Sequence, residues 1–418
     1  MQEVVILSGV RTPIGAFGGS LREVPVARLG ALVLDEALKR SGLEPEQVDE
    51  VIAGQSYQNG ECANAGRVAL LEAGWPDSIP AVTLDRRCCS GLDAVIFAAL
   101  KIQTGDAKVV AAVGLDSMSQ AEFYLPGGIR WGLGGGKDPK WGFMPRGHGA
   151  LSMWGLPFYD RIQRARVMSQ PIERYGELNS MMTWAETAAR NEGISREEAD
   201  RWALRSHQRA LAAWEAGRFA EEVVPVPGRK GETHIFDRDE TPRPDTTLEK
   251  LARLRPVYPD GVCTAGNSSS ENDGAAAVIL ASAELARELK LPVLARFVAG
   301  AHGACDPTIT YPAVAVAVKR VLAKAGVSLD EVDIFEIQEA FAVQLLADAK
   351  LMGIPPDDYD RKINPNGSGI SLGHPIGATG VMRLVTLLHE MRRQGAGLGL
   401  ETICGGGGQG IAALFRRA

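Results

Sequence analysis

The feature that most constrains this 418-residue chain is that it repeats itself. The run ALKRSGLEPEQVDEVIAG at 37–54 matches VLAKAGVSLDEVDIFEIQ at 321–338, with Gly42 opposite Gly326 and Val48-Asp49 opposite Val332-Asp333. Each copy continues through a glycine-containing turn into an apolar helix and a strand: CCSGLDAV with KVVAAVG in the first, GHPIGATGVMRLVTLLHEM with LGLETIC in the second. A unit repeated in this way buries its apolar face against its copy, so two similar halves around a pseudo-two-fold axis are expected.

Local periodicity supplies the elements of each half. Residues 3–9 read as a buried strand, Val26–Ser41 as a helix stopped by Gly42, 48–54 as a strand, 92–105 as an apolar helix and 107–114 as a third strand. Such alternation predicts an α/β protein with a parallel or mixed sheet covered by helices on both faces. Between the halves the composition shifts to the Gly-, Trp- and Pro-rich run PGGIRWGLGGGKDPKWGFMPRGHG, then to helical segments. One helix opens with the capping box Ser195 to Glu198, a purely structural signal. The expected organisation is an N-terminal half at 1–121 and 251–279, an inserted loop or lid domain at 122–250, and a C-terminal half at 280–418. Trp131, Trp141 and Trp154 in the insertion could wall a substrate channel or bury against the body or a neighbouring subunit.

Composition narrows the functional classes. A net charge of -6 argues against sequence-independent nucleic-acid binding. No run approaches the 18 or so apolar residues a membrane span needs, and the N-terminal MQEVVILSG enters directly as a strand without a secretory pattern. A soluble, cytoplasmic protein with no membrane and no nucleic-acid partner is the expectation. Six dispersed cysteines lack the paired spacing of a zinc site, so free thiols and no metal are expected.

Three motifs carry chemistry. In RRCCSGLDAV at 86–95, Cys88 or Cys89 stands at the turn into a helix, where exposed N–H groups are expected to lower a thiol pKa and make a nucleophile. In NPNGSGISLGHPIGATG at 364–380, His374 lies between Gly373 and Pro375 in a turn that fixes its ring and can serve as a base; His148, His207, His234, His302 and His389 have no comparable setting. In ETICGGGGQG at 401–410, Cys404 ends a strand beside four glycines whose N–H groups could form an oxyanion hole. Taken singly, each also fits a small buried residue or a tight turn.

Together these runs resemble the thiolase family along nearly the whole chain, in its order: RTPIGAFGGSL (11–21), CCSGL (88–92), TAGNSSSENDGAAA (264–277), QEAFA (338–342), GHPIGATG (373–380) and CGGGGQG (404–410). The resemblance implies a duplicated αβαβα layered fold and reversible acyl transfer to coenzyme A or acetyl-CoA. It places Cys88 at the acylated position, with Cys89 where glycine is usual. It places His374 at the activating base and Cys404 at the thiol that exchanges a proton with the α-carbon of acetyl-CoA. It also implies that the N–H groups of Cys88 and Gly406 hold the tetrahedral oxyanion, while His374 and a water positioned by residue 338 hold the enolate. Gln338 stands where the family has Asn, which would displace that water; Gly367-Ser368 replaces Gly-Gly, and Ser180-Met181 replaces His-Met. Ser269 aligns with a pantetheine contact, Phe341, Glu339 and Met181 with the pocket surroundings, and Arg243 with a residue near the adenine. Coenzyme A is then a substrate rather than a resident cofactor, and a homodimer or homotetramer is implied. Alternatives are a 3-oxoacyl synthase-type condensing enzyme, against which Cys404 argues, and a catalytically weakened acyl-CoA-binding subunit, suggested by Gln338 and Cys89. Cys88 and Cys404 sharing one pocket could also form an inactivating disulfide.

Overall fold

The computed structural model describes residues 1–126, 158–176, 180–228 and 235–418; Trp131, Trp141 and Trp154 lie outside the described residues. Nine strands build the main sheet: β1 (Val4–Arg11), β2 (Glu50–Gly54), β3 (Ala81–Leu84), β4 (Val109–Ser117), β5 (Asn272–Ser282), β6 (Ala295–Ala304), β7 (Ile334–Ile337), β8 (Leu398–Gly405) and β9 (Gln409–Arg417). Their order is β7-β8-β9-β6-β1-β5-β4-β2-β3, and the two-residue strand Gly15–Ala16 pairs beside β5.

The pairing pattern is the duplication made visible. In the first half β2 runs parallel to β4, β4 antiparallel to β5, and β5 antiparallel to β1. In the second, β7 runs parallel to β8, β8 antiparallel to β9, and β9 antiparallel to β6. The halves meet where β1 and β6 pair antiparallel, Val4 opposite Phe297 and Ile6 opposite Ala295, as a two-fold axis between them requires.

The residues matched in sequence do the same work in both copies. Helices α1 (Val26–Ser41) and α5 (Pro312–Ala325) end at Gly42 and Gly326, at φ 77° and 66°, a left-handed cap that glycine takes without penalty. Asp49 accepts hydrogen bonds from the N–H groups of Lys108 and Val109 at the start of β4 (2.7 and 2.9 Å). Asp333 does so for Gly397 and Leu398 at the start of β8 (2.8 and 2.9 Å).

Alternation along the strands divides the apolar side chains into layers. In β5, Ala276, Val278 and Leu280 face a central cluster, whereas Ala275, Ala277, Ile279 and Ala281 face an outer one covered by α1. Helix α5 covers the matching outer cluster of the second half. The central layer is filled by α2 (Ser90–Thr104) and α7 (Thr379–Gln394). They cross at glycines: a Cβ on Gly91 would lie 2.9 Å from the Gly377 carbonyl, and one on Gly380 would collide with the Leu92 nitrogen. This close approach brings the N-terminal ends of both central helices, and the loops that feed them, to one place. The insertion contributes α3 (Ser180–Glu192) and α4 (Arg196–Glu215), the latter opened by the Ser195–Glu198 capping box. Helix α6 (Ala342–Met352) follows β7. Among the described residues no helix is long and apolar enough to cross a membrane.

Candidate active site

Cys88 is presented by a locked elbow between β3 and α2. The Ser90 hydroxyl donates to the Arg87 carbonyl (2.6 Å) and accepts from the Arg86 N–H (2.7 Å). The Ser56 hydroxyl donates to the same Arg87 carbonyl (2.8 Å), and Arg87 takes φ 54°. Cys88 thereby enters the pocket while Cys89, the residue that starts the helix, turns inward with its Sγ 3.7 Å from the Ile403 carbonyl. The structure thus separates two cysteines that spacing alone left equivalent.

The expected depression of the Cys88 pKa is not what the structure gives. Burial pushes the thiol up to about 11, against the opposing pull of Arg87, the Gly406 N–H and its own N–H. Desolvation of the thiolate outweighs the helix N-terminus because the residue is only 3% exposed. The resting group is a thiol, and a base is needed to ionise it. Alkylation of Cys88 by iodoacetamide is therefore expected to accelerate about tenfold per pH unit from pH 7 to 10 without levelling. A plateau already reached at pH 7, read by mass spectrometry of the Cys88 peptide, would contradict this.

His374 is oriented by two hydrogen bonds. Its N–H donates to Asn272 Oδ1 (2.8 Å), and its Nδ1 lies 2.7 Å from Thr379 Oγ1. The Thr379 hydroxyl donates its one proton to the Pro375 carbonyl (2.8 Å), so it accepts from an Nδ1–H. The imidazole is then the Nδ1–H tautomer, with Nε2 bare, buried and without a hydrogen-bond partner among the described residues. Burial, helped by Arg383, lowers its pKa to about 3, so the ring is neutral at physiological pH. Gly373, at φ 99°, leaves room for the Asn272 side chain, which a Cβ would meet at 2.7 Å.

Cys88, His374, Gly406, Ser269, Phe341 and Met181 line one pocket. Tyr57, Arg87, Met118, Ala165, Arg166, Met182, Ser270, Glu271 and Ile376 also line it. Arg243 lines a neighbouring cavity with His207, Thr246 and Lys250; Ser270 belongs to both linings. His207 accepts the Arg243 N–H at its Nδ1 (3.2 Å), and burial lowers its pKa to about 4. Nothing is described of the Ser180 side chain.

Two expected residues stand behind the wall. Cys404, fully buried near the end of β8, is not among the pocket lining. Its thiol is raised well above the usual range, first by burial and next by Cys88, so the two sulfurs are near enough to feel each other's charge. Both remain free thiols. Gln338 is also absent from the lining: its Oε1 accepts from Arg383 Nε (3.2 Å), and its Nε2 is crowded against Gly369. Glu339 is a brace, its carboxylate accepting from Trp202 Nε1 (2.9 Å), Ser206 Oγ (2.6 Å) and Asn364 Nδ2 (3.0 Å).

One organising group went unseen in the sequence. The buried Asp116 carboxylate accepts from the N–H groups of Gly377 (2.8 Å), Tyr57 (3.2 Å) and Ser56 (3.3 Å), joining the loop of the first half to the His374 turn of the second. Burial raises its pKa to about 7. Its only sequence signal is an acid at the end of an otherwise apolar strand.

An elbow-borne thiol, a neutral imidazole with one bare nitrogen and a glycine N–H aimed at the sulfur are the groups that an enzyme acting through a cysteine nucleophile requires. Comparison with known proteins makes this specific: the thiolase N-terminal domain model matches residues 4–284 and the thiolase C-terminal domain model residues 291–417. The chain belongs to the thiolase family and is an acyltransferase. It is 44% identical over 426 residues to an acetyl-CoA acetyltransferase of Pseudomonas aeruginosa, covering 100% of both chains. Its structure is similar to the crystal structure of the Bacillus anthracis acetyl-CoA acetyltransferase, with a TM-score of 0.88, 40% identity and coverage of 100% and 99%. It is also similar to human mitochondrial 3-ketoacyl-CoA thiolase in complex with CoA, with a TM-score of 0.88, 35% identity and coverage of 100% and 98%.

Proposed function

We propose that this thiolase cleaves and forms 3-oxoacyl thioesters of coenzyme A, with Cys88 as the acylated nucleophile. The observation that carries the proposal is the meeting of the Cys88 thiol, the Gly406 N–H and a neutral His374 with bare Nε2 at one pocket. In thiolysis, His374 Nε2 takes the Cys88 proton as Sγ attacks the 3-oxo carbon. The N–H groups of Cys88 and Gly406 receive the oxyanion, each such donor contributing about 3 kcal/mol. The bond between C2 and C3 then breaks, and acetyl-CoA enolate leaves and is protonated on carbon by Cys404. The thiol of a second coenzyme A gives its proton to the Cys404 thiolate and takes the acyl group from Cys88, whose sulfur leaves and recovers the proton held by His374. Condensation is the reverse sequence.

The role of Cys404 is supported by its nearness to Cys88 rather than by exposure to the pocket. Gln338 is proposed to hold the water that meets the enolate, with its Oε1 anchored by Arg383 Nε and its Nε2 buried without a partner among the described residues in support. Ser269, Phe341 and Met181 are proposed along the pantetheine arm, and Arg243 with Lys250 at the nucleotide, with Ser270 common to both cavities in support. Coenzyme A is here a substrate, and no metal takes part. A homodimer or homotetramer in the cytoplasm is the proposed working form, consistent with six free cysteines.

Steady-state thiolysis of acetoacetyl-CoA by coenzyme A, followed by loss of the 3-oxoacyl enolate absorbance, tests the proposal. Turnover dependent on both substrates is expected. Saturable binding of acyl-CoA without turnover would favour an acyl-CoA-binding subunit.

A further inference from the structure

We propose that the Tyr57 and Arg87 side of the pocket receives an anionic acyl terminus, so that the preferred 3-oxoacyl thioester carries a carboxylate at the far end of its acyl chain. The inference rests on the thiolase reading and adds a substrate class to it.

The pocket is lined by apolar groups, Met118, Met182 and Ile376 among them, and by two guanidinium groups. Arg166 is ion-paired with Glu271, the one carboxylate among the described lining residues. Arg87 has no carboxylate partner among the described residues; its side chain makes one long hydrogen bond, to the Ser56 carbonyl at 3.5 Å. Arg87 is half-buried in the pocket wall, and a bound anion would supply the charge-assisted partner that the described residues do not.

Arg87 is held there by construction. Its N–H donates to Asp85 Oδ1 (2.8 Å), its carbonyl takes two serine hydroxyls, and its φ of 54° is one that side-chain-bearing residues rarely adopt. Tyr57 adds a second donor. Only 5% exposed, it lines the same pocket, and its hydroxyl has no hydrogen-bond partner among the described residues. Burial first and the Asp116 carboxylate next keep the phenol protonated, while the charges of Arg87 and Arg166, acting in the opposite sense, are also felt at its oxygen. An O–H and a guanidinium sharing one space can bind the two oxygens of a carboxylate by charge-assisted hydrogen bonds.

The test compares kcat/KM for two 3-oxoacyl-CoAs of equal chain length, one ending in methyl and one in carboxylate. The ratio cancels any general loss of activity or of folded protein. The wild type is expected to favour the carboxylate by at least about tenfold. Arg87→Met should bring the ratio to one or below, Arg87→Lys should restore part of it, and Tyr57→Phe should lower it several-fold. Tyr57→Phe, which removes one oxygen, carries the test if Arg87→Met fails to fold. A wild type without preference, or variants that slow both substrates alike, would overturn the inference and leave Arg87 as a charge acting on the Cys88 thiol. A wild type that turns over neither these substrates nor acetoacetyl-CoA would overturn the thiolase reading, and the inference with it.

Discussion

Cys88→Ala is expected to lower thiolysis of acetoacetyl-CoA by at least about ten-thousandfold, because no other group can carry the acyl intermediate and removal of a nucleophile disables the residues that serve it. Cys89 cannot substitute: its sulfur points to the Ile403 carbonyl, and a Cβ on Gly405 would sit 2.8 Å from it. The unfolding midpoint should stay within a few degrees, since one sulfur is removed from an otherwise intact apolar cluster. Thiolysis rates alongside thermal unfolding check both halves of the expectation. A variant that is folded and retains a tenth of the activity would exclude Cys88 as the nucleophile.

Cys404→Ala is expected to divide the reaction. Exchange of the acetyl group between acetyl-CoA and labelled coenzyme A needs only Cys88, His374 and the oxyanion donors, and should survive within about tenfold. Cleavage and formation of the carbon–carbon bond need a proton moved at the α-carbon, and should fall by about a thousandfold or more. The two assays on one preparation separate a damaged pocket from a missing acid: an equal loss in both would assign Cys404 a packing role, consistent with its burial behind the lining.

Much of the fold is legible in the chain because the duplication marks positions that do local work. Gly42 and Gly326 end equivalent helices in the left-handed conformation, and Asp49 and Asp333 secure the first N–H groups of equivalent strands. Such roles depend on a few neighbouring residues, so they survive in sequence as repeated letters. His374 and the Cys88-Cys89 turn can be singled out for a related reason, since each sits in a short turn that opens a helix, whereas Gly406, Ser269, Phe341 and Met181 follow only from the family resemblance.

What was not legible depends on distance in the sequence. The direction of the Cys88 pKa reverses the helix-terminus expectation because desolvation is set by residues from both halves, which no local window contains. The His374 tautomer follows from a hydroxyl five residues away whose single proton is already committed to Pro375. Gln338 reads in sequence as the amide that positions a water, but its anchor, Arg383 Nε on its Oε1, lies forty-five residues on, outside any local window. Tyr57, Arg87 and Arg166 come from three unrelated segments, and no periodicity brings them together.

The central claim is that a carbonyl entering this pocket becomes bonded to one sulfur. Incubation with acetyl-CoA alone, rapid acid quench, and mass spectrometry of the peptide carrying Cys88 and Cys89 test it most directly. A mass gain of one acetyl group located on Cys88, absent in Cys88→Ala and reversed by added coenzyme A, is the predicted result. Acetylation located on Cys89 or Cys404, or none at all in a preparation that binds acetyl-CoA, would contradict it.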